Sequence, residues 1–140
     1  MSDDLYQQAI MERAKKPVGA GRLEAPDATA TIDNPLCGDR VTLDLKLTGG
    51  SITAIGHQVR GCALCQASAS VIAATAIGRT PASVLAGREA LRSVLGGGEA
   101  AAPWSDLGIF APVRRHKSRH DCVLLPFEAL ARALAPVKPA

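Results

Sequence analysis

The residues best suited to chemistry are four cysteines, Cys37, Cys62, Cys65 and Cys122, with Asp39 and His120 each two positions from one of them. In a reducing compartment such thiols serve as metal ligands or nucleophiles more often than as disulfides. The plainer reading is that each is a small buried apolar residue, and position decides between the two. Cys37 falls in the tight loop Leu36-Cys37-Gly38-Asp39, Cys62 ends a strand, Cys65 lies in the first turn of an apolar helix and Cys122 opens the last helix. Three of the four thus stand at or near helix N-termini, where the helix dipole and unpaired backbone N–H groups stabilise a thiolate. A purely structural cysteine would fall within an apolar stripe.

Strand–helix junctions gather at one end of a sheet, so Cys37, Cys62 and Cys122 are expected to converge. Three thiolates and one further ligand would then form a tetrahedral site for zinc or an iron–sulfur cluster. Asp39, separated from Cys37 by a single glycine, is the attractive fourth ligand. A carboxylate is a harder donor than a thiolate, and such a site would release one ligand more readily than a four-cysteine site. Asp39 is also a plausible turn or cap residue, and His120 a plausible solvated histidine, besides being a candidate ligand or proton donor. Cys62-Ala-Leu-Cys65 matches a thiol–disulfide exchange motif, but that chemistry needs a βαβ context, whereas here a hairpin precedes the helix.

The elements that must position these groups follow from patterning. Residues 3–15 read as a helix capped by Asp3 or Asp4, with Leu5, Ala9, Ile10 and Ala14 on one face, ended by Pro17, Gly19 and Gly21. Ala28 to Asp33 alternates as a strand ended by Asn34-Pro35. Val41, Leu43, Leu45 and Leu47 alternate with polar residues in a second strand. Gly49-Gly50 is a hairpin turn, and Ser51–Arg60 is the partner strand, with Ile52, Ala54 or Ile55, and Val59 inward. Cys65–Ile77 carries no charge and reads as a buried helix with Gly78 as its cap. Thr80-Pro81 opens a helix to about Leu95, with Val84, Leu85, Leu91 and Leu95 as its stripe. Residues 96–121 are Gly/Pro-broken and basic, with a short turn around Trp104–Phe110. A last helix spans about Cys122–Leu134, and Pro136 and Pro139 follow it. Segregated strands and helices define an α+β fold, a three-stranded antiparallel sheet with helices on one face, within a single domain over residues 1–140.

Composition narrows the classes. With 25 alanines and only Tyr6, Trp104, Phe110 and Phe127 as aromatics, the core must be close-packed from small side chains. No apolar run reaches the ~18 residues of a membrane span. MSDDLYQQAIMERAKK holds acids and no apolar core, so no secretory leader is expected and the chain reads as cytoplasmic. A net charge of +3 does not imply nucleic-acid binding. The basic run Arg114-Arg115-His116-Lys117-Ser118-Arg119-His120 is either a solvated loop or a docking patch for an acidic protein surface, one that also favours the Cys122 thiolate. It has no interleaved aromatics of the kind RNA binding uses.

NPLCGD (34–39), GCALCQASAS (61–70) and HDCVLLPFEAL (120–130) together resemble the U-type iron–sulfur cluster assembly proteins, the NifU N-terminal/IscU/SufU family, from about Leu5 to Leu134. The resemblance implies the SufE/NifU-like α+β fold. It implies a site of Cys37, Asp39, Cys62 and Cys122 holding zinc or a [2Fe–2S] cluster, with Cys37 as sulfur acceptor. It also implies a cysteine desulfurase as sulfur donor, downstream carriers or apo-proteins as recipients, and neither a nucleic acid nor a membrane as partner. The role would be a scaffold that accepts sulfur and assembles or transfers a cluster, or alternatively a zinc-dependent sulfurtransferase relaying persulfide sulfur. A structural zinc domain is a third class. The IscU branch has a short connection before the last cysteine, an L-P-P-V-K motif and a histidine directly before that cysteine. Here sixty positions separate Cys62 from Cys122, Ala111-Pro112-Val113-Arg114 replaces the motif and Asp121 precedes Cys122. These features resemble the SufU branch, whose desulfurase is of the SufS type. Asp121 departs from the basic residue usual in that branch, and Cys65 has no counterpart.

Overall fold

The computed structural model describes residues 8–15, 18–34 and 38–135. The caps expected at Asp3 or Asp4, Leu5, the breaker Pro17, the loop residues Pro35, Leu36 and Cys37, and the terminal prolines lie outside them. The elements run α1 (Gln8–Lys15), β1 (Ala28–Asn34), β2 (Asp39–Thr48), β3 (Ser51–Arg60), α2 (Ala63–Ala76), α3 (Pro81–Leu95), a 3₁₀ helix (Ser105–Arg115), a short 3₁₀ turn (Lys117–Arg119) and α4 (His120–Leu134).

The strands form an antiparallel sheet in the order β1-β2-β3. Leu43 and Leu45 of β2 are fully buried beneath α2 and α4, which pack on that face, while α1 lies on α2 and α3 on α4. Ile55, rather than Ala54, faces the core. The register slips between Lys46 and Leu47, so that Lys46 pairs with Ala54 but Leu47 with Ile52. The extra residue, Thr53, is a bulge that lets Ile52 and Ile55, three apart, both point inward.

The opposite face is closed at its centre by the chain after α1. Gly21 N–H donates to His57 O (2.8 Å) and His57 N–H to Gly19 O (3.0 Å), which stitches this strap to the free edge of β3. Leu23 then lies over Gly56, where a Cβ would meet Gly21 O at 2.5 Å. Asp44, which pairs with Gly56 across the strands, is fully buried there, and its carboxylate accepts from Arg22 Nε (2.6 Å), Thr29 Oγ1 (2.7 Å) and Leu23 N (3.1 Å). Burial pushes this carboxyl upward, but donation by Arg22, Thr29 and Leu23 outweighs it and holds the group below its ordinary range.

α2 is buried on nearly every side, as its lack of charge requires, and Ser68 Oγ ties it to Val123 O of α4 (2.6 Å). It ends at Ala76. Gly78 takes a positive φ of 84° but donates to Ile52 O of β3 (2.7 Å) rather than back to the helix. Thr80 caps α3 as expected, accepting from Ser83 N. The stripe of α3 is shifted: Val94 is buried and Leu85 only half so. The cause is Gly87, over which the Trp104 indole lies so closely that a Cβ would meet it at 2.5 Å. Ala9 of α1 is likewise exposed, while Ile10 is fully buried.

The largest difference from expectation is in residues 96–121. Trp104, Leu107, Phe110 and Val113 recur every third residue, the period of a 3₁₀ helix, and all are buried. Trp104 packs edge-on against Phe127 of α4 at 5.6 Å and donates its Nε1–H to Ser83 O (3.1 Å). The segment is therefore a structural layer over α3 rather than a loop. Among the described residues, no helix is long and apolar enough to cross a membrane.

Candidate metal centre

The end of β1, the start of β2, the junction of β3 with α2 and the start of α4 meet at one end of the sheet. Asn34 and Asp39 face each other across β1 and β2, and Gly38, at a φ of 72°, donates its N–H to Asn34 O (2.9 Å). Asp39 shares the inward alternation of Val41 and Leu43 and is only 4 % exposed. Cys62 is the N-cap of α2 and half-buried. Cys122 is in the first turn of α4 and fully buried. The two helix N-termini are brought together by α2–α4 packing.

One ligand atom each from Asp39, Cys62 and Cys122 lie within 4.8 Å of one another. Cys62 Sγ is 4.0 Å from Asp39 Oδ2. Zinc–sulfur bonds of about 2.3 Å and zinc–oxygen bonds of about 2.0–2.2 Å place tetrahedral ligands roughly 3.6–3.8 Å apart. The trio thus needs small side-chain adjustments to fit, and two soft thiols with a carboxylate suit zinc or iron. Cys37 lies outside the described residues, one position before Gly38.

Gly61, directly before Cys62, was not among the residues that the sequence singled out for chemistry. A Cβ there would sit 2.7 Å from Asp39 Oδ1 and 2.8 Å from its Cγ, so only glycine lets the β3–α2 junction close over the carboxylate. Its signal in the sequence is its place as the first residue of the motif GCALCQASAS (61–70).

Two other candidates take different places. Cys65 is fully buried in the apolar core and is not part of the metal-competent group. His120 lies two residues from Cys122, but its Nε2 sits 3.1 Å from Val113 O and 3.0 Å from Arg114 O. Carbonyls only accept, so Nε2 carries the proton and fastens α4 to the 3₁₀ helix. The basic run is neither a loose loop nor continuous: it ends one 3₁₀ helix, forms the next turn and enters α4.

A small α+β domain that brings two thiols at paired helix N-termini to a carboxylate on its central strand defines a class: a metal-binding domain with its ligands at one end of one sheet. The sequence matches the family described as "NifU-like N terminal domain" over residues 5–135, and the chain belongs to that family. It is 28% identical over 135 residues to the zinc-dependent sulfurtransferase SufU of Bacillus subtilis, covering 95% of this chain and 91% of that one. It is 29% identical over 133 residues to the iron–sulfur cluster assembly scaffold protein IscU of Streptococcus pyogenes, covering 93% and 82%. The fold superposes on the crystal structure of a nitrogen-fixing NifU-like protein (N-terminal) from Brucella abortus with a TM-score of 0.90 at 40% identity, covering 96% of this chain and 95% of that one.

Proposed function

We propose that this protein accepts sulfur from a cysteine desulfurase and assembles or transfers an iron–sulfur cluster at a site of Cys37, Asp39, Cys62 and Cys122. The observation that carries this reading is the trio Asp39, Cys62 and Cys122 gathered within 4.8 Å at paired helix N-termini. Family membership and the relatives named as scaffolds support it. Residues 1–140 act in it as one domain, in the reducing cytoplasm, with a SufS-type enzyme as donor and carriers or apo-proteins as recipients.

The transfer step needs only thiol chemistry. The Cys37 thiolate attacks the terminal sulfur of the donor's persulfide, a Cys37 persulfide forms and the donor's own cysteine leaves as thiolate. Asp39, Cys62 and Cys122 keep the site assembled, and half-buried Cys62 is its exposed corner. Zinc bound by these residues would hold the thiols as thiolates at neutral pH.

The alternative, a zinc-dependent sulfur relay, is favoured by the near full-length likeness to SufU. Anaerobic purification followed by metal and sulfide analysis separates the two. Iron and labile sulfide in near-equal amounts support the scaffold; about one zinc per chain supports the relay. Unchanged cysteine turnover by the desulfurase on adding this protein overturns the relay. A Cys37→Ser variant with full activity in both assays overturns the role of Cys37. Unfolding on chelation, with no effect on any desulfurase, would leave a structural zinc domain.

A further inference from the structure

α4 begins beside an open groove of about 460 Å³. Its walls are Arg92 and Leu95 from the end of α3, Arg114 and Lys117 from the 3₁₀ elements, and His120 and Leu124 from the first turns of α4. Three of these six carry permanent positive charge, and no carboxylate among the described residues lines the groove. Glu89 (2.6 Å) and Glu128 (3.4 Å) pair with Arg92 and offset its charge, so the positive character of the groove rests on Lys117 and on Arg114, which Gly98 O holds in place (3.3 Å). Leu95 and Leu124 form an apolar floor between them. An adjoining groove of about 320 Å³ shares Arg92 and Leu124 but is acidic, with Asp33, Asp121 and Glu128. It reaches Asn34, the cross-strand partner of Asp39.

We infer that the basic groove docks an acidic segment of a partner protein, which places an apolar side chain on the Leu95–Leu124 floor. Charge complementarity selects the occupant, because Arg114 and Lys117 beside an apolar floor attract carboxylates, and the acidic groove alongside repels them and confines the segment. A segment held here lies beside the first turn of α4, which carries Cys122. Nucleic acid fits less well, since no Phe, Tyr or Trp lines the groove to stack a base. The inference rests on the proposed function only in that such a segment would belong to the cysteine desulfurase that donates sulfur to the site.

The test is fluorescence anisotropy of a fluorescein-labelled peptide of alternating glutamate and leucine, titrated with the metal-loaded full chain. Wild type is expected to bind it with an affinity that falls as salt rises. Arg114→Glu combined with Lys117→Glu should weaken binding roughly tenfold or more. Lys46→Glu combined with Arg132→Glu, the same charge change away from the groove, should leave it intact, with metal content and circular dichroism equal in all three proteins. Equal weakening by both pairs would reduce the effect to net charge and overturn the proposal. So would equal binding of a glutamate–serine peptide, or displacement of the acidic peptide by oligo-uridine. Desulfurase stimulation is read separately. Full stimulation by the groove variant overturns the docking site and leaves the proposed function standing, whereas specific peptide binding by a wild type that takes up no sulfur from the desulfurase does the reverse.

Discussion

At the level of single residues, the metal-competent trio depends on a residue with no side chain. Asp39 can be buried next to Cys62 only because Gly61 offers no Cβ to its carboxylate. Gly61→Ala is therefore expected to displace Asp39 and cost most of the bound metal, while far-UV circular dichroism stays near wild type. Metal analysis after gel filtration checks it, and unchanged metal content would show that the carboxylate does not hold the site. His120 illustrates the opposite lesson. Proximity in sequence to Cys122 made it a candidate ligand, yet its ring serves backbone carbonyls seven and six residues back. Nothing in the local sequence announces those partners, because they exist only once the 3₁₀ helix has turned toward α4.

At the level of elements, the connection from α3 to α4 behaves as part of the core. Trp104, Leu107, Phe110 and Val113 fill one side of a 3₁₀ helix, and Phe110 is fully buried. Truncating such a phenylalanine costs about 3–5 kcal/mol through lost burial and the cavity left behind. Phe110→Ala should thus lower stability by an amount in that range in urea unfolding, without removing the trio Asp39, Cys62 and Cys122. A loss under 1 kcal/mol would mean that the segment is the loop its glycines and prolines suggest. The three-residue period was present in the sequence, but it is easily passed over beside the helical and strand periods, since 3₁₀ runs of this length are uncommon.

At the level of the whole molecule, the strap after α1 closes the sheet through two buried polar anchors that titrate in different windows. His57 is 2 % exposed and its Nε2 donates to Val18 O at 2.7 Å. Burial lowers its pKa below the ordinary 6.5, and the bond to Val18 only partly opposes this. The unfolded chain therefore takes up a proton near pH 6.5 that the folded chain resists. Stability contributed by neutral His57 is full above that pH and is lost as pH falls below it. The urea midpoint should fall between pH 7.5 and pH 5, and His57→Gln, which keeps a donor for Val18 O, should flatten that slope. An equally steep slope in the variant would assign it elsewhere. Asp44 acts in a lower window: its carboxyl is held below the ordinary 3.8, so its contribution is lost only in stronger acid.

The sequence by itself determined the order of the elements, the sheet's inward face, the buried helix and the motifs that mark the family, because these rest on local periodicity, capping and turn residues. Thr80 and Pro81 start α3 wherever α3 goes, and Val41, Leu43 and Leu45 alternate whatever covers them. Only the tertiary structure decided what depends on two distant segments meeting. The bulge at Thr53 settled Ile55 over Ala54, and Trp104 settled which face of α3 is buried. The packing of α2 on α4 brought Cys62 and Cys122 to Asp39 and left Cys65 in the core, though both members of that CxxC pair open the same helix. A helix presents side chains three apart on one broad face, and which of them reaches a neighbouring strand is a matter of axis and rotation that no local pattern encodes.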